Sequence, residues 1–225
     1  MEVYRKFPNT RLRRLRKSSS LIDLVSETNL GSNDLIQPIF IKENLTGIEQ
    51  IRTMPSISRF DTETSLKEIE DILKSGINAI AVFPVIDPDK KDNLGSEAIK
   101  ENNFISQSIK KIKKEFPNII LIADVALDPY TDHGHDGVII NNEIDNDETN
   151  KILVDQSLLL ADSGADIIAP SDMMDGRISL IRSALEKNDF KNTILLSYAA
   201  KYNSKFYGPF RDAVGSANML GNSTK

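Results

Sequence analysis

Cysteine and tryptophan are absent from the 225-residue chain, and histidine occurs twice. Without thiols there is no disulfide framework and no thiolate metal site, and the composition fits a reducing compartment. No apolar run approaches the ~18 residues that a bilayer span needs, and the basic start leads into SSSLIDLVSET, too polar for a signal peptide. Cytoplasm, or a plastid stroma, is the expected location, with no membrane partner. GxGxxG and GxxxxGK[ST] strings are missing, which removes sequence support for a nucleotide or other organic cofactor. The net charge of -5 argues against a nucleic-acid-binding body, and RLRRLRK at residues 11 to 17 is a local basic cluster suited to a phosphate or a neighbouring subunit. No low-complexity linker divides the chain, so one domain is expected.

What is present is alternation. LIQPIFI (35 to 41), NAIAVFPV (78 to 85), NIILIADVAL (118 to 127), ADIIAPSD (165 to 172) and NTILLSYAAK (192 to 201) are apolar on both alternations, as strands covered on both faces are. Between them lie helical patterns at 61 to 76, 101 to 116, 148 to 164 and 176 to 188. The first has an acidic opening turn, Leu66, Ile69, Ile72 and Leu73 on one face, and a glycine stop at Gly76. Strict alternation of strand and helix gives an α/β protein with a parallel sheet, doubly wound or barrel. Polar and special-backbone residues crowd the segments after the strands, whereas returns such as SGINA and SGADI are short. That asymmetry, with no single phosphate crevice, favours the (β/α)8 TIM-barrel type, whose sites form at the carboxyl ends of the strands.

Several polar residues occupy those ends. Asp124 lies inside the apolar run IIADVAL, where a carboxylate is costly unless paired; it is either a structural ion-pair member or a site group. His133 and His135, with Asp132 and Asp136, share one loop, HGHDG, read either as a metal string or as ordinary loop chemistry. Ser171, Asp172 and Asp175 in SDMMDGR are candidates for a helix cap or for a site. Lys201 ends the fifth strand and is either a snorkelling lysine or a nucleophile. A lysine attacks a ketone unprotonated, and burial beside Phe206, Tyr207, Pro209 and Phe210 is expected to depress its pKa. Arg211, ten residues on, offers a fork suited to a carboxylate. These residues suggest a Schiff-base barrel enzyme acting on a keto acid.

DVALDPYTDHGHDG, NDETN, APSDMMDGR and YAAKYNSKFYGPFRDAVGSA, with KDNLGSEA, RLRRLR and PIFI, run in one order along essentially the whole chain. Together they resemble the delta-aminolevulinic acid dehydratase (porphobilinogen synthase) family. The resemblance implies a TIM barrel that condenses two molecules of 5-aminolevulinate, with loss of two waters, to porphobilinogen in tetrapyrrole (haem, chlorophyll) biosynthesis. Carried over by motif, Lys201 would form the Schiff base, Arg211 and the terminal Lys225 would bind the substrate carboxylate, and Phe206 would wall the pocket. Asp124 and Ser171 would line it, Asp124 taking part in proton transfer, and the HGHDG loop would help close it. A homo-octamer is implied, with an N-terminal arm, residues 1 to 20, embracing a neighbour and the barrel domain occupying 21 to 225.

Two departures qualify the resemblance. Where the zinc-dependent branch carries three cysteines, this chain has Ala126, Asp128 and Asp136. Zinc is therefore not expected; Asp128 and Asp136 are candidates for a hard cation, with magnesium, in a regulatory role, the implied metal. The family's second Schiff-base lysine, in an MVKPG context, has no counterpart before Lys225, and five barrel strands are present. The expectation is a fragment or truncated copy, inactive alone. A class I aldolase-type barrel and a degenerate non-catalytic subunit are the alternative readings.

Overall fold

The computed structural model describes residues 6–202, 204 and 207–216. In chain order the elements are α1 (Ser19–Leu24), β1 (Ile36–Lys42), β2 (Ile48–Gln50), β3 (Ser58–Phe60), α2 (Thr62–Lys74), β4 (Ala79–Val85), α3 (Phe104–Glu115) and β5 (Ile120–Val125). They continue with β6 (Ile139–Ile140), β7 (Glu143–Ile144), α4 (Asn146–Asp162), β8 (Ile167–Pro170), α5 (Arg177–Lys187), β9 (Ile194–Leu195) and α6 (Tyr207–Val214). The main sheet is seven-stranded in the order β2-β3-β1-β4-β5-β8-β9, and β6 and β7 form a separate hairpin.

All pairings in the main sheet are parallel except β2 with β3. From β1 through β4, β5 and β8 to β9 the spatial order follows the chain order. Because crossovers between parallel strands are right-handed, a monotonic order sends every connecting helix to the same face. Within these five strands there is no point of reversal where a doubly wound sheet would open its crevice; only the short β2–β3 pair lies on the other side of β1. The architecture is therefore that of barrel staves, with helices outside and an inner face left for a site, and the sheet is open between β2 and β9.

Local chemistry explains the helix starts. Asp61 caps α2 by accepting the Thr64 N–H at 2.6 Å, Asn103 caps α3 through the Ser106 N–H at 2.9 Å, and Asp145 caps α4 through the Glu148 N–H at 2.9 Å. α5 differs from expectation. Its N-cap is Gly176 at φ 80° with no side-chain cap, so Ser171, Asp172 and Asp175 do not cap the helix. Asp172 instead accepts the Met174 N–H at 2.7 Å and pairs with Arg177 Nε at 3.0 Å.

Period-2 alternation divides the sheet. Ile39, Ile41, Ile80, Val82, Leu121, Ala123, Val125 and Ile168 face the helices in one large core with Ile69, Ile109, Leu153 and Ile181. Phe40, Ala81, Phe83, Ile122 and Ala169 belong to separate clusters on the opposite face. By the same alternation Asp124, two residues after Ile122, points inward. Outside this body, no residue from 6 to 38 is buried. Among the described residues no helix is long and apolar enough to cross a membrane.

Candidate active site

The fifth strand is shorter than its sequence pattern suggested: β9 ends at Leu195, and the chain then turns sharply. Ala199 takes φ 55°, and the Ala200 N–H donates to the Tyr198 carbonyl at 2.5 Å. A left-handed non-glycine residue costs about 1 kcal/mol. Such strain persists where surrounding contacts enforce it, frequently at functional sites. Here the turn delivers Lys201 across the inner face.

Lys201 is held there by two contacts. Its Nζ donates to Asp136 Oδ2 at 2.7 Å and to the Ser171 carbonyl at 2.7 Å. Its side chain is 16% exposed, and that of Asp136 is fully buried. Burial pulls the ammonium pKa down, but the charge and hydrogen bond of Asp136 push it up further, so the net direction is above the ordinary lysine value. The expected depressed pKa is thus not found. Apolar surroundings alone predicted it; an ion pair reverses it.

A cavity of about 250 Å³ opens beside the amine, and Asp124, Asp128, Ser171, Lys201 and Arg211 line it with Phe83, Tyr207 and Phe210 among its apolar walls. Asp124 Oδ1 is buried without a hydrogen-bond partner among the described residues. Desolvation raises its pKa to about 7, against the pull of the Ser171 hydroxyl, and the neighbouring Asp128 adds to the rise. A carboxyl group poised near neutrality can both give and take a proton. Arg211 reaches the cavity from α6, its Nε buried and also unpartnered among the described residues. Of the residues expected to share a site, Lys201, Asp124, Ser171 and Arg211 do so; Phe206 and Lys225 lie outside the described residues.

Tyr198 and Val214 also line the cavity, and sequence reasoning missed both. The spacing of Phe210, Ala213 and Val214 at i, i+3 and i+4 was the signal for the helix that brings Arg211 and Val214 in. The HGHDG loop reaches the site through Asp136 and is tied within itself by its histidines: His133 Nδ1 accepts the His135 N–H at 3.1 Å, and His135 Nδ1 accepts the Gly137 N–H at 3.2 Å. Gly137 is required by close approach, since a Cβ there would lie 2.6 Å from Ile144 Cγ2. Among the described residues no three acidic or histidine side chains converge as metal ligands. Asp128 and Asp136 are both buried, but Asp136 is committed to Lys201, so the pair does not fit a metal as arranged.

A larger cleft of about 410 Å³ is lined by Glu43, Glu63, Lys90, Glu97, Lys100 and Lys111 among others. Its charges already neutralise one another in the pairs Glu43 with Lys90, Glu97 with Lys100 and Glu63 with Lys111. The poised chemistry lies in the smaller cavity.

The family model for delta-aminolevulinic acid dehydratase matches residues 9–225. The chain belongs to that family. The curated delta-aminolevulinic acid dehydratase of Bradyrhizobium diazoefficiens is 48% identical over 210 residues, covering 93% of this chain and 60% of the relative. That of Methanothermus sociabilis is 47% identical over 216 residues, covering 96% of this chain and 67% of the relative. The crystal structure of the Toxoplasma gondii dehydratase, in complex with its reaction product porphobilinogen, superposes with a TM-score of 0.92 at 40% identity, over 96% of this chain and 62% of that one. The present chain therefore spans roughly three fifths of its relatives' length, and within that span it carries the dehydratase's barrel staves.

Proposed function

We propose that the protein is a porphobilinogen synthase, condensing two molecules of 5-aminolevulinate with loss of two waters, and that its cavity forms the Schiff base with one of them. The observation that carries the reading is the meeting of Lys201, Asp124 and Arg211 around one cavity on the inner face. The substrate carboxylate pairs with the Arg211 guanidinium, whose planar fork suits it. That places the ketone toward Lys201. The ion pair favours the ammonium, so the reactive species is the minor neutral amine present when the proton sits on Asp136, 2.7 Å away; it adds to the ketone carbon, and the proton that the new C–N bond leaves in excess on nitrogen passes to the alkoxide oxygen to give the carbinolamine. The carbinolamine hydroxyl leaves as water with a proton supplied by Asp124, whose pKa near 7 lets it hold that proton at neutral pH, and the C–N double bond forms. The Ser171 carbonyl keeps Nζ directed during the approach. No residue of this chain is assigned to the second substrate molecule.

The finer expectations enter the same proposal. The absence of the zinc-dependent branch's cysteines, with Ala126, Asp128 and Asp136 in their places, supports a magnesium-type protein in which magnesium has a regulatory role apart from Asp128 and Asp136, with no step of the imine chemistry passing through it. A homo-oligomer, an octamer on the family pattern, is supported by the exposed apolar side chains of the amino-terminal segment: Leu12 is 68% exposed and Leu24 78%.

Borohydride reduction in the presence of 5-aminolevulinate, followed by peptide mass mapping, tests the reading. A reduced adduct on Lys201 is expected, formed equally with and without a chelator. An adduct elsewhere, or none, overturns it, and an unmodified chain that bound a complete homologue would point to a non-catalytic subunit.

A further inference from the structure

α6 supplies the cavity with Tyr207, Phe210, Arg211 and Val214, so the site is only as well formed as that helix is well placed. Phe210 anchors it apolarly, its ring centroid 5.4 Å from that of Phe83 and 6.1 Å from that of Phe40. Ring contacts of this kind do not fix the helix along its own axis. The carboxyl end of a helix also leaves carbonyls without intrahelical partners.

The Asp212 and Ala213 carbonyls, and the Gly215 carbonyl just past the helix, are met by two cations from distant parts of the chain, the Asp212 carbonyl also taking the Gly215 N–H at 3.3 Å. Arg59 Nε donates to the Ala213 carbonyl at 2.8 Å, and Arg59 Nη2 donates to the Asp212 carbonyl. Lys91 Nζ donates to the Gly215 carbonyl at 2.9 Å. Thr53 Oγ1 adds a bond to Asp212 Oδ2 at 2.5 Å. Arg59 is itself held from behind. Its Nη1 donates to Glu49, the residue opposite it in the β2–β3 register, and Glu49 also pairs with Lys42 at 2.5 Å. The Arg59 side chain is 12% exposed, whereas its partners Glu49 and Asp212 are 34% and 41% exposed, so the arginine is the shielded centre of a network whose rim meets water. Positive charge at this helix end also suits the macrodipole.

We propose that Arg59 is a positioning residue for the carboxylate clamp: by capping α6 one and two residues beyond Arg211, it sets where the Arg211 guanidinium stands relative to Lys201, with Lys91 as its second support. This assignment rests on the Schiff-base reading of the cavity. Arg59 touches no substrate. It acts through the helix.

The test is the concentration dependence of borohydride trapping on Lys201 in the full 225-residue chain, with 5-aminolevulinate and with aminoacetone, an amino ketone that lacks the carboxylate. Arg59→Ala is expected to raise the half-saturating concentration for 5-aminolevulinate by about 10-fold, leaving the trapping level at saturation within about 2-fold and the aminoacetone curve unmoved. Arg59→Lys, which keeps the charge and loses the fork, should fall between, at about 3-fold. A general loosening of the fold would move both ketones together, and that result, or an unchanged 5-aminolevulinate curve, overturns the inference. If Arg59→Ala does not fold, the Arg59→Lys comparison decides on the same criteria. Failure of the unsubstituted protein to trap 5-aminolevulinate on Lys201 overturns the functional reading instead. Arg59 is then judged by amide exchange of residues 210–214 in the unliganded protein, where equal rates in Arg59→Ala and the parent sink the capping role.

Discussion

The two faces of one sheet behave as different materials. On the helix side Ile39, Ile41, Ile80, Val82, Leu121, Val125 and Ile168 form a continuous apolar layer, and the most buried of them have no exposed surface. On the inner side the same strands present Phe40, Ala81, Phe83, Ile122 and Ala169, but also Asp124, with Lys201, Asp136 and Arg211 brought over them. One face makes stability by removing hydrocarbon from water. The other accepts the cost of desolvated charge, and this cost is what gives Asp124 a pKa near 7.

Substitutions should separate these two roles. The largest effect is on the inner face: Lys201→Arg keeps a cation for Asp136 but cannot form the imine. Borohydride trapping should fall below detection while the thermal midpoint, read by circular dichroism, shifts by no more than about 3 °C. A trapped adduct at another lysine would break the assignment. On the outer face, Ile109→Ala removes a fully buried side chain of α3. A loss of about 3 kcal/mol in denaturant unfolding is expected, with the half-saturating 5-aminolevulinate concentration unchanged in the folded protein. If that concentration rose as the core loosened, the two faces would be coupled and the comparison would fail.

How much of this was legible in the sequence depends on the reach of each signal. The strands and the helices after them are local: β-branched runs, Asp or Asn caps and glycine stops mark them without knowledge of the rest of the chain. Asp124 was legible because a carboxylate in an apolar run contradicts its surroundings. α6 was hidden by Gly208 and Pro209, which read as breakers, although proline is tolerated in a helix's first turn, as it is here. β2 and β3 were hidden by length, three residues each. The pairing of Lys201 with Asp136 spans 65 residues, and that of Arg59 with the α6 carbonyls 153 and 154. Nothing local marks either partner. Strand-end position and spacing marked Lys201, Arg211 and Asp124, and the resemblance added the substrate class and their roles, but neither gave the ion pair that raises the lysine's pKa.

The smallest effect tests whether the cost on the inner face is real. Folding raises the Asp124 pKa from 3.8 to about 7, with burial the chief cause. Between those values the folded protein binds more protons at this group than the unfolded chain does. Stability therefore falls as pH rises from about 4 to about 7, and is flat with respect to this group above that. An asparagine side chain in its place would have no charge to desolvate, and it resembles the protonated carboxyl in shape. Asp124→Asn should thus match the parent near pH 4 and exceed it by about 1–2 kcal/mol at pH 8 in urea unfolding, a partial share of the full linkage because the residue keeps some exposure to solvent. Asp172, also raised by burial, to about 6, is present in both proteins and cancels in the difference. The same substitution removes the proton donor for water loss, so trapping should slow by about 100-fold even as the protein becomes more stable. A variant that is both slower and less stable at pH 8 would mean that Asp124 holds the fold together, and the inner face would then be another part of the core.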